Sequence, residues 1–435
     1  MGNRGGASRR RAGLRWRMLA VAAVGGLLLA ACGGDDDDDA GGEESTDTSE
    51  ETSDASELLG PEDEASGEPV RIGMVSDGQL GFTDNTDELR IAEATAEYWN
   101  THRGGVGGRP VELVPCETRG DPGGAADCAN QFVEEDVLAV AVSQSAVGES
   151  VWEPLHAAGV PSFWFQTSTQ GVTTDTESSF AMINPLTGLF GLPVSVAESE
   201  GADRIAFVVI DVPQARAGLE GLGPTILGNA GLEYDVIPIA PGTADMTAQM
   251  QQVAASGAGV VQITGNDAFC IAAFQGLQAV GYEGAITAVS QCITDATREA
   301  VPGEVLDGTF ISSTMALGAE DDPAYQLYQA VVETYGQDVE DPTNATAMGG
   351  YTAMASLLSS LEGISGEITP QTVVETIKAM PETDYPGADD MTFQCGGSAI
   401  EMLPAVCTNQ TLRTTLDAEG QPTEYEVVDA TDILP

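Results

Sequence analysis

The chain has 435 residues, with 68 acidic and 16 basic side chains, so its formal net charge at pH 7 is −52. A charge of that sign and size opposes binding to nucleic acid and to anionic lipid. The length exceeds what one ordinary hydrophobic core accommodates and predicts a protein of two lobes.

The first predicted element is an export signal at residues 1–31. Six arginines precede a short apolar run from Met18 to Ala31. A basic start, an apolar core and small residues before the cleavage point are typical of a signal peptide. The run has 14 residues, which is shorter than the roughly 20 that a transmembrane helix needs. Ser8-Arg9-Arg10 leaves open whether export follows the general or the twin-arginine route.

The segment Leu29-Ala30-Ala31-Cys32 resembles the bacterial lipobox. The resemblance implies that Cys32 is lipidated and anchors the exported protein to the outer face of the cytoplasmic membrane. Residues 32–69 then form a linker, with 16 acidic and no basic residues between 33 and 69. Such a composition cannot bury enough apolar surface to fold, so we expect a disordered, extended tether.

The six cysteines that follow the linker fall into three close pairs. An exported chain favours disulfides, and sequence proximity favours the local set among the 15 possible connectivities. Zinc binding is disfavoured, because no pair has the spacing of a zinc site and the chain has only two histidines. The predicted disulfides are Cys116–Cys128, Cys270–Cys292 and Cys395–Cys407.

Predicted strands and helices alternate from residue 70 onward. The first set has strands at 70–76, 110–116, 137–142 and 160–165, with helices at 86–100, 125–135 and 151–158. The second set has strands at 204–210, 233–239, 259–264, 285–289 and 308–313, with helices at 215–229, 246–255 and 269–280. Three more helices are predicted at 324–335, 345–361 and 370–380, and the tail from 391 lacks helical periodicity. This order predicts an α/β protein with two doubly wound, Rossmann-like lobes.

Three stretches carry a resemblance to a known family. They are IAEATAEYWNTHRGGVGGRPVELVPCETRGDP at 91–122, Ala157-Ala158-Gly159-Val160-Pro161, and the set Cys270, Leu277, Gly281-Tyr282 and Cys292. In order and spacing they resemble the branched-chain amino acid binding proteins, which are type I solute-binding proteins of ABC importers, including actinobacterial members. The resemblance implies a monomer that works with permease and ATPase subunits. It also implies two lobes, 70–186 with 314–391 and 187–313 with 392–435, joined by three hinge strands and closing on a small solute.

Ligands of open α/β sheets bind beyond the carboxyl ends of the strands. The candidates in the first lobe are polar residues directly after strands one, three and four: Ser76, Asp77, Ser143, Ser145, Gln166, Thr167 and Ser168. The resemblance implies that Ser145, Thr167 and Ser168 hold a ligand carboxylate. The alternative is that these hydroxyls only cap helices and turns.

The second lobe departs from the family pattern. No aromatic residue follows the strand ending at Ile210, and Ser290 and Gln291 stand where an acid would bind a ligand ammonium group. We therefore expect a solute other than leucine, isoleucine or valine. Asp84, Asp211 and Asp267 are predicted to line the cleft and to favour a polar or amine-bearing solute, although solvated loop acids are the alternative. Asn266 and Gln291 complete the candidates, and Phe82 and Trp152 could stack on a ligand.

The sequence favours binding over catalysis. It contains no Gly-x-Ser-x-Gly elbow and no His-Glu-x-x-His motif, and we expect neither a metal nor a cofactor. A solute sensor that signals to a membrane receptor is the alternative to an importer subunit. The acidity of the chain fits either a saline habitat or the steering of a cationic ligand.

Overall fold

Parallel strands and helices alternate through the part of the chain that the computed structural model describes, residues 55–80, 84–397 and 399–434. The predicted signal peptide, Cys32 and the first part of the predicted linker lie outside the described residues. None of the helices in the described ranges is long and apolar enough to cross a bilayer.

The strands form two large sheets and one small ribbon. They are β1 (Val70–Ser76), β2 (Val111–Glu117), β3 (Ala139–Val142), β4 (Ser162–Trp164), β5 (Ser179–Ile183), β6 (Arg204–Ile210), β7 (Glu233–Ile239), β8 (Val260–Thr264), β9 (Ala285–Ala288), β10 (Phe310–Ser313), β11 (Thr383–Asp384), β12 (Thr392–Phe393), β13 (Val406–Thr408), β14 (Gln410–Leu416) and β15 (Pro422–Asp429).

Helices cover the sheets and connect the parallel strands. They are α1 (Ala55–Leu59), α2 (Asp87–His102), α3 (Pro122–Glu134), α4 (Gly148–Ala158), α5 (Gln170–Thr173), α6 (Leu192–Glu200), α7 (Pro213–Asn229), α8 (Thr247–Ser256), α9 (Asp267–Val280), α10 (Asp295–Ala300), α11 (Gly303–Leu306), α12 (Pro323–Tyr335), α13 (Ala345–Ser360) and α14 (Pro370–Ala379).

The first sheet has the strand order β13-β5-β4-β3-β1-β2 and is parallel throughout. The second has the order β15-β14-β10-β9-β8-β6-β7, with β14 and β15 antiparallel at one edge. Central strands such as β3 are buried on both faces, as helix-covered parallel sheets require. The predicted α/β class with two doubly wound lobes is confirmed.

The strand β5 was missing from the sequence prediction. Its residues, Ser179 to Ile183, are all buried, but Ile183 is the only β-branched residue among them. The segment is fixed instead by its pairing with β4 on one side and β13 on the other. Its place in the sheet therefore depends on tertiary context more than on intrinsic propensity.

The chain passes between the two sheets three times, after β5, after β10 and between β13 and β14. These crossings lie side by side, because Asn184 Nδ2 donates to Asn409 Oδ1 at 2.9 Å and Thr411 Oγ1 donates to the Ser313 carbonyl at 2.9 Å. The third crossing lies at Asn409 and not at the expected boundary after residue 391. The reason is that β13 pairs with β5 in the first sheet.

All three predicted disulfides are present. Each joins a strand or a strand end to a neighbouring element: Cys116–Cys128 links β2 to α3, Cys270–Cys292 links α9 to the turn after β9, and Cys395–Cys407 links a loop to β13. The middle one holds the turn at one of the strand ends where ligands of such sheets bind.

The predicted disorder of the linker is wrong for residues 55–69. Helix α1 packs against α12, and Leu59 is only 5% exposed. Beyond it, the amides of Asp63 and Ala65 donate to carbonyls at the end of α2, both at 2.8 Å. The many acids of the linker concealed this packing in the sequence, because its buried apolar surface comes from two adjacent leucines.

Replacing Leu59 with Ala should lower the free energy of unfolding by about 2 kcal/mol, since a buried leucine leaves a cavity when truncated. The exposed neighbour Glu57 offers a matched control, and Glu57→Ala should change stability by less than about 0.5 kcal/mol. Chemical denaturation of both variants measures the difference. If Leu59→Ala and Glu57→Ala were equally stable, α1 would be a free part of the tether.

Candidate functional site

A cavity of about 690 Å³ lies where the carboxyl ends of both sheets meet. Parallel strand order explains its position, because consecutive strands of one sheet end at the same edge. Its lining comes from the first sheet, the second sheet and the crossings between them. The polar lining residues are Asp77, Asn85, Gln144, Ser145, Gln166, Thr167, Ser168, Asn184, Thr187, Thr264, Ser290, Gln291, Ser312, Thr314, Thr346 and Thr411.

The described lining is rich in hydroxyl and amide groups and poor in charge. Asp77 is the one ionisable side chain among the lining residues that the structure describes. Apolar contacts come from Leu80, Ile183, Leu189 and Val289. Such a surface offers a small polar solute many hydrogen-bond donors and acceptors in fixed positions.

The Asp77 carboxylate is held by three donors and is only 4% exposed. Its Oδ1 accepts from Thr118 Oγ1 at 2.6 Å and from Ser145 Oγ at 2.8 Å. Its Oδ2 accepts from the Ala146 amide at 2.7 Å. Asp77 thereby links the loops that follow β1, β2 and β3, and the hydroxyl proton of Ser145 is directed at Asp77.

The turn after β4 brings Gln166, Thr167 and Ser168 to the cleft. Thr167 Oγ1 accepts from the Thr169 amide at 3.1 Å, so this hydroxyl stabilises its own turn and keeps its proton available to a ligand. Gln166 Nε2 donates to Thr314 Oγ1 at 2.9 Å and so ties this turn to the second crossing. Ser168 is exposed at the cleft surface.

The second lobe contributes Thr264, Ser290 and Gln291. The disulfide at Cys292 fixes the turn that carries Gln291 against α9. The hydroxyl oxygen of Thr264 is buried and has no hydrogen-bond partner among the described groups. A buried polar atom without a partner is costly, so a ligand that bonds to it would gain free energy.

Two of the predicted residues lie behind the cleft surface. Ser76 and Ser143 are both buried and do not belong to the lining. The Ser76 hydroxyl donates to the Asn85 carbonyl at 2.8 Å and accepts from the Gly78 amide at 3.0 Å. This hydroxyl organises the loop after β1.

The carboxylates of Asp84 and Asp211 also lie outside the described lining. Asp84 is exposed and accepts from the Thr86 hydroxyl at 2.7 Å just before α2. Asp211 is exposed and forms an ion pair with Arg216 at 3.2 Å. Both positions match the alternative of a solvated loop acid.

Asn266 and Asp267 serve the start of α9. Asn266 Oδ1 caps the helix by accepting from the Phe269 amide at 3.0 Å, and Asp267 Oδ1 accepts from the Ala268 amide at 2.7 Å. Neither belongs to the described lining. Trp152 stacks on His156 at 4.8 Å between ring centroids and does not belong to the described lining, and Phe82 lies outside the described residues.

The residues that the sequence analysis missed belong mostly to the crossings. Asn184, Thr187 and Thr314 line the cleft there, and Ser312 and Thr411 line it from the adjoining strands β10 and β14. Asn184 follows β5, the strand absent from the prediction, and Thr411 lies inside an antiparallel strand, where the rule about strand ends does not apply. The useful signal would have been polar residues at the points where the chain passes from one sheet to the other.

A second acid lies close behind Asp77. Glu88, in the first turn of α2, is fully buried, and neither of its carboxyl oxygens has a hydrogen bond of good geometry to a described group. Burial raises the pKa of Glu88 to about 8; the Asp77 charge adds to the rise, and the nearby hydroxyls of Ser76 and Ser143 oppose it. Glu88 is therefore predominantly neutral at pH 7.

The fold and the cleft together define a two-lobed α/β binding protein. A model of the periplasmic binding protein family matches residues 69–407, so the chain belongs to that family. This confirms the family resemblance found in the sequence, and the family consists of solute-binding proteins that are not enzymes. A comparison of the sequence with curated proteins finds no match.

Solved structures share the fold at low sequence identity. A branched-chain amino acid ABC transporter protein of Rhodospirillum rubrum, described as putative, has 15% identity and a TM-score of 0.68, covering 83% of this chain and 100% of its own. LivJ of Streptococcus pneumoniae, solved with isoleucine, has 13% identity and a TM-score of 0.60 over 83% and 99%. A solute-binding protein of R. palustris, solved with 4-hydroxybenzoate, has 16% identity and a TM-score of 0.59 over 83% and 98%.

The raised pKa of Glu88 predicts a pH dependence of stability. A carboxyl group whose pKa is higher in the folded state stabilises the protein fully below the unfolded value of 4.5, and this contribution is lost as the pH rises towards about 8. The neutral variant Glu88→Gln should escape that loss. The melting temperature of Glu88→Gln minus that of the unmodified protein should therefore be larger at pH 8.5 than at pH 5.

Glu93, which is exposed on the same helix, provides the control. The melting temperature of Glu93→Gln should differ from that of the unmodified protein by the same amount at both pH values. A difference for Glu88→Gln that does not depend on pH would contradict the assignment of a neutral buried acid.

Proposed function

We propose that this chain is the lipid-anchored substrate-binding component of an ABC importer, and that it captures a small polar solute such as an amino acid or a related amide or amine. The observation that carries the proposal is the cavity of about 690 Å³ at the meeting edges of the two sheets. Its hydroxyl and amide lining suits a small molecule that forms many hydrogen bonds.

The described lining contains no aromatic side chain, and its aliphatic side chains are outnumbered by hydroxyl and amide side chains. This composition supports a solute other than leucine, isoleucine or valine. Relatives of the same fold have been solved with different ligands, isoleucine in one and 4-hydroxybenzoate in another. The fold therefore leaves the choice of solute to the side chains of the cleft.

Closure of the two lobes is the proposed result of solute binding. The three crossings are short, and the Asn184–Asn409 hydrogen bond keeps two of them together. Rotation about such a seam moves one lobe as a rigid body, and a solute that touches both lobes favours the closed form. The permease then recognises the closed outline and receives the solute.

The tether is proposed to hold the protein through the first lobe. Residues 55–69 pack on that lobe, with α1 against α12 and Asp63 bonded to the end of α2. Lipidation at Cys32, which lies outside the described residues, would place the protein at the outer face of the cytoplasmic membrane. The second lobe would be the one that moves relative to the anchor.

Replacing Ser168 or Gln291 with Ala should weaken solute binding by about tenfold, which corresponds to the loss of one hydrogen bond of about 1.4 kcal/mol. The solute is first identified by native mass spectrometry of the purified protein, or by a thermal-shift screen of amino acids, amides and polyamines at high salt. Calorimetric titration then gives the affinities.

Asp267→Ala is the control, because its carboxylate accepts from the Ala268 amide at the start of α9 and does not belong to the described lining. Its affinity should match that of the unmodified protein. Unchanged affinity in Ser168→Ala and Gln291→Ala would place the solute elsewhere. Recovery of the captured compound as a chemically altered product would contradict the proposed function.

A further inference from the structure

We propose that the Asp77 side chain permanently occupies the position where the first lobe would hold a ligand carboxylate, and that the cleft consequently selects amines and amides over acids. This inference rests on the proposed solute-binding function and narrows its substrate class. It makes Asp77 a specificity-determining residue.

Three hydrogen-bond donors surround the Asp77 carboxylate. The Ser145 hydroxyl and the Ala146 amide follow β3 and precede α4, where free amides and the helix dipole favour an anion. Thr118 adds a third donor from the loop after β2. All three donate to one carboxylate, so the position is an anion-binding site whose anion is part of the chain.

Because Asp77 occupies these donors, they are not available to a ligand carboxylate. The family resemblance implies that Ser145 holds a ligand carboxylate, but its proton is already given to Asp77 Oδ1 at 2.8 Å. A ligand carboxylate that approached the same donors would have to displace a side chain that is only 4% exposed. It would also meet a like charge without a basic side chain in the described lining to offset it.

Asp77 itself offers a hydrogen-bond acceptor to a ligand. A carboxylate has about four acceptor positions, and the three donors use three of them. The position left on Oδ2 belongs to a residue of the cleft lining. An ammonium or amide N–H can donate there, whereas a carboxylate cannot.

Glu88 behind Asp77 strengthens the selection. A neutral Glu88 adds no second negative charge, so Asp77 remains the one anionic group of the described lining. The attraction to a cationic or N–H-bearing group therefore has a single defined origin, which a single substitution can remove.

The test uses acetate and acetamide, which have the same shape and differ in charge and donors. Thermal shifts are measured for the unmodified protein, Asp77→Ala, Asp77→Asn and the control Asp127→Ala, which removes an exposed acid of α3. Asp77→Ala should be stabilised by acetate but not by acetamide, because acetate refills the vacated donors. The unmodified protein and Asp127→Ala should not respond to acetate.

The Asp77→Asn variant distinguishes the effect of filling this position from the effect of the negative charge on an acidic ligand. Its side chain fills the same space without the negative charge, so it should also remain insensitive to acetate. An acetate response of Asp77→Asn equal to that of Asp77→Ala would mean that charge repulsion alone excludes acids, and it would overturn the inference. Absence of an acetate response in folded Asp77→Ala would overturn it as well.

A second measurement holds even if Asp77→Ala fails to fold. The unmodified protein is titrated with matched pairs of small polar compounds, lactate with lactamide and serine with serinamide. The amide of each pair that binds should bind at least about tenfold more tightly than the acid. Tighter binding of the acids would overturn the inference and leave the proposed function intact, whereas failure to bind any small solute would count against the proposed function itself.

Discussion

The structure depends on one constraint: two mainly parallel sheets present their carboxyl ends to each other across a seam of three short crossings. Asn184 and Asn409 lie in two of these crossings and are joined by a side-chain hydrogen bond. Most of the described residues that line the cleft lie at the ends of strands or in and beside this seam. The geometry of the sheets thus concentrates hydroxyl and amide groups in one place, which no short sequence motif could achieve.

Two acids near the cleft show how the local environment divides their roles. Asp77 accepts three hydrogen bonds, and these replace the water that its charge loses on burial. Glu88 lacks such donors, and burial raises its pKa to about 8, so it stays mostly protonated at neutral pH. One charged and one neutral carboxyl group can lie close together in an interior that would not tolerate two charges.

Much of the fold could be predicted from the sequence, because apolar runs and helical periodicity are local signals. The strands at 70–76, 204–210 and 233–239 match β1, β6 and β7 to the residue. The strand β5 escaped because its pairing partners, not its composition, define it. Leu58 and Leu59 escaped because the surrounding acids dominated the composition of the linker.

The site was less predictable for a different reason. Residues directly after strands were the right place to look, and the structure brings Asp77, Ser145, Gln166, Thr167, Ser168 and Gln291 to the cleft lining. The carboxylates of Asp84, Asp211 and Asp267 found partners within a few residues instead. Whether a given hydroxyl donates to a ligand or to Asp77 depends on the distances between separate loops. These distances cannot be read from the order of residues in the sequence.

Small-angle X-ray scattering tests most directly whether this seam is a hinge that closes on a solute. The protein is measured after removal of its solute by unfolding and refolding, and again after the solute is added back. The account predicts a smaller radius of gyration in the presence of solute, because both lobes contact the same molecule. An unchanged radius at saturating solute would contradict closure as the output of this protein.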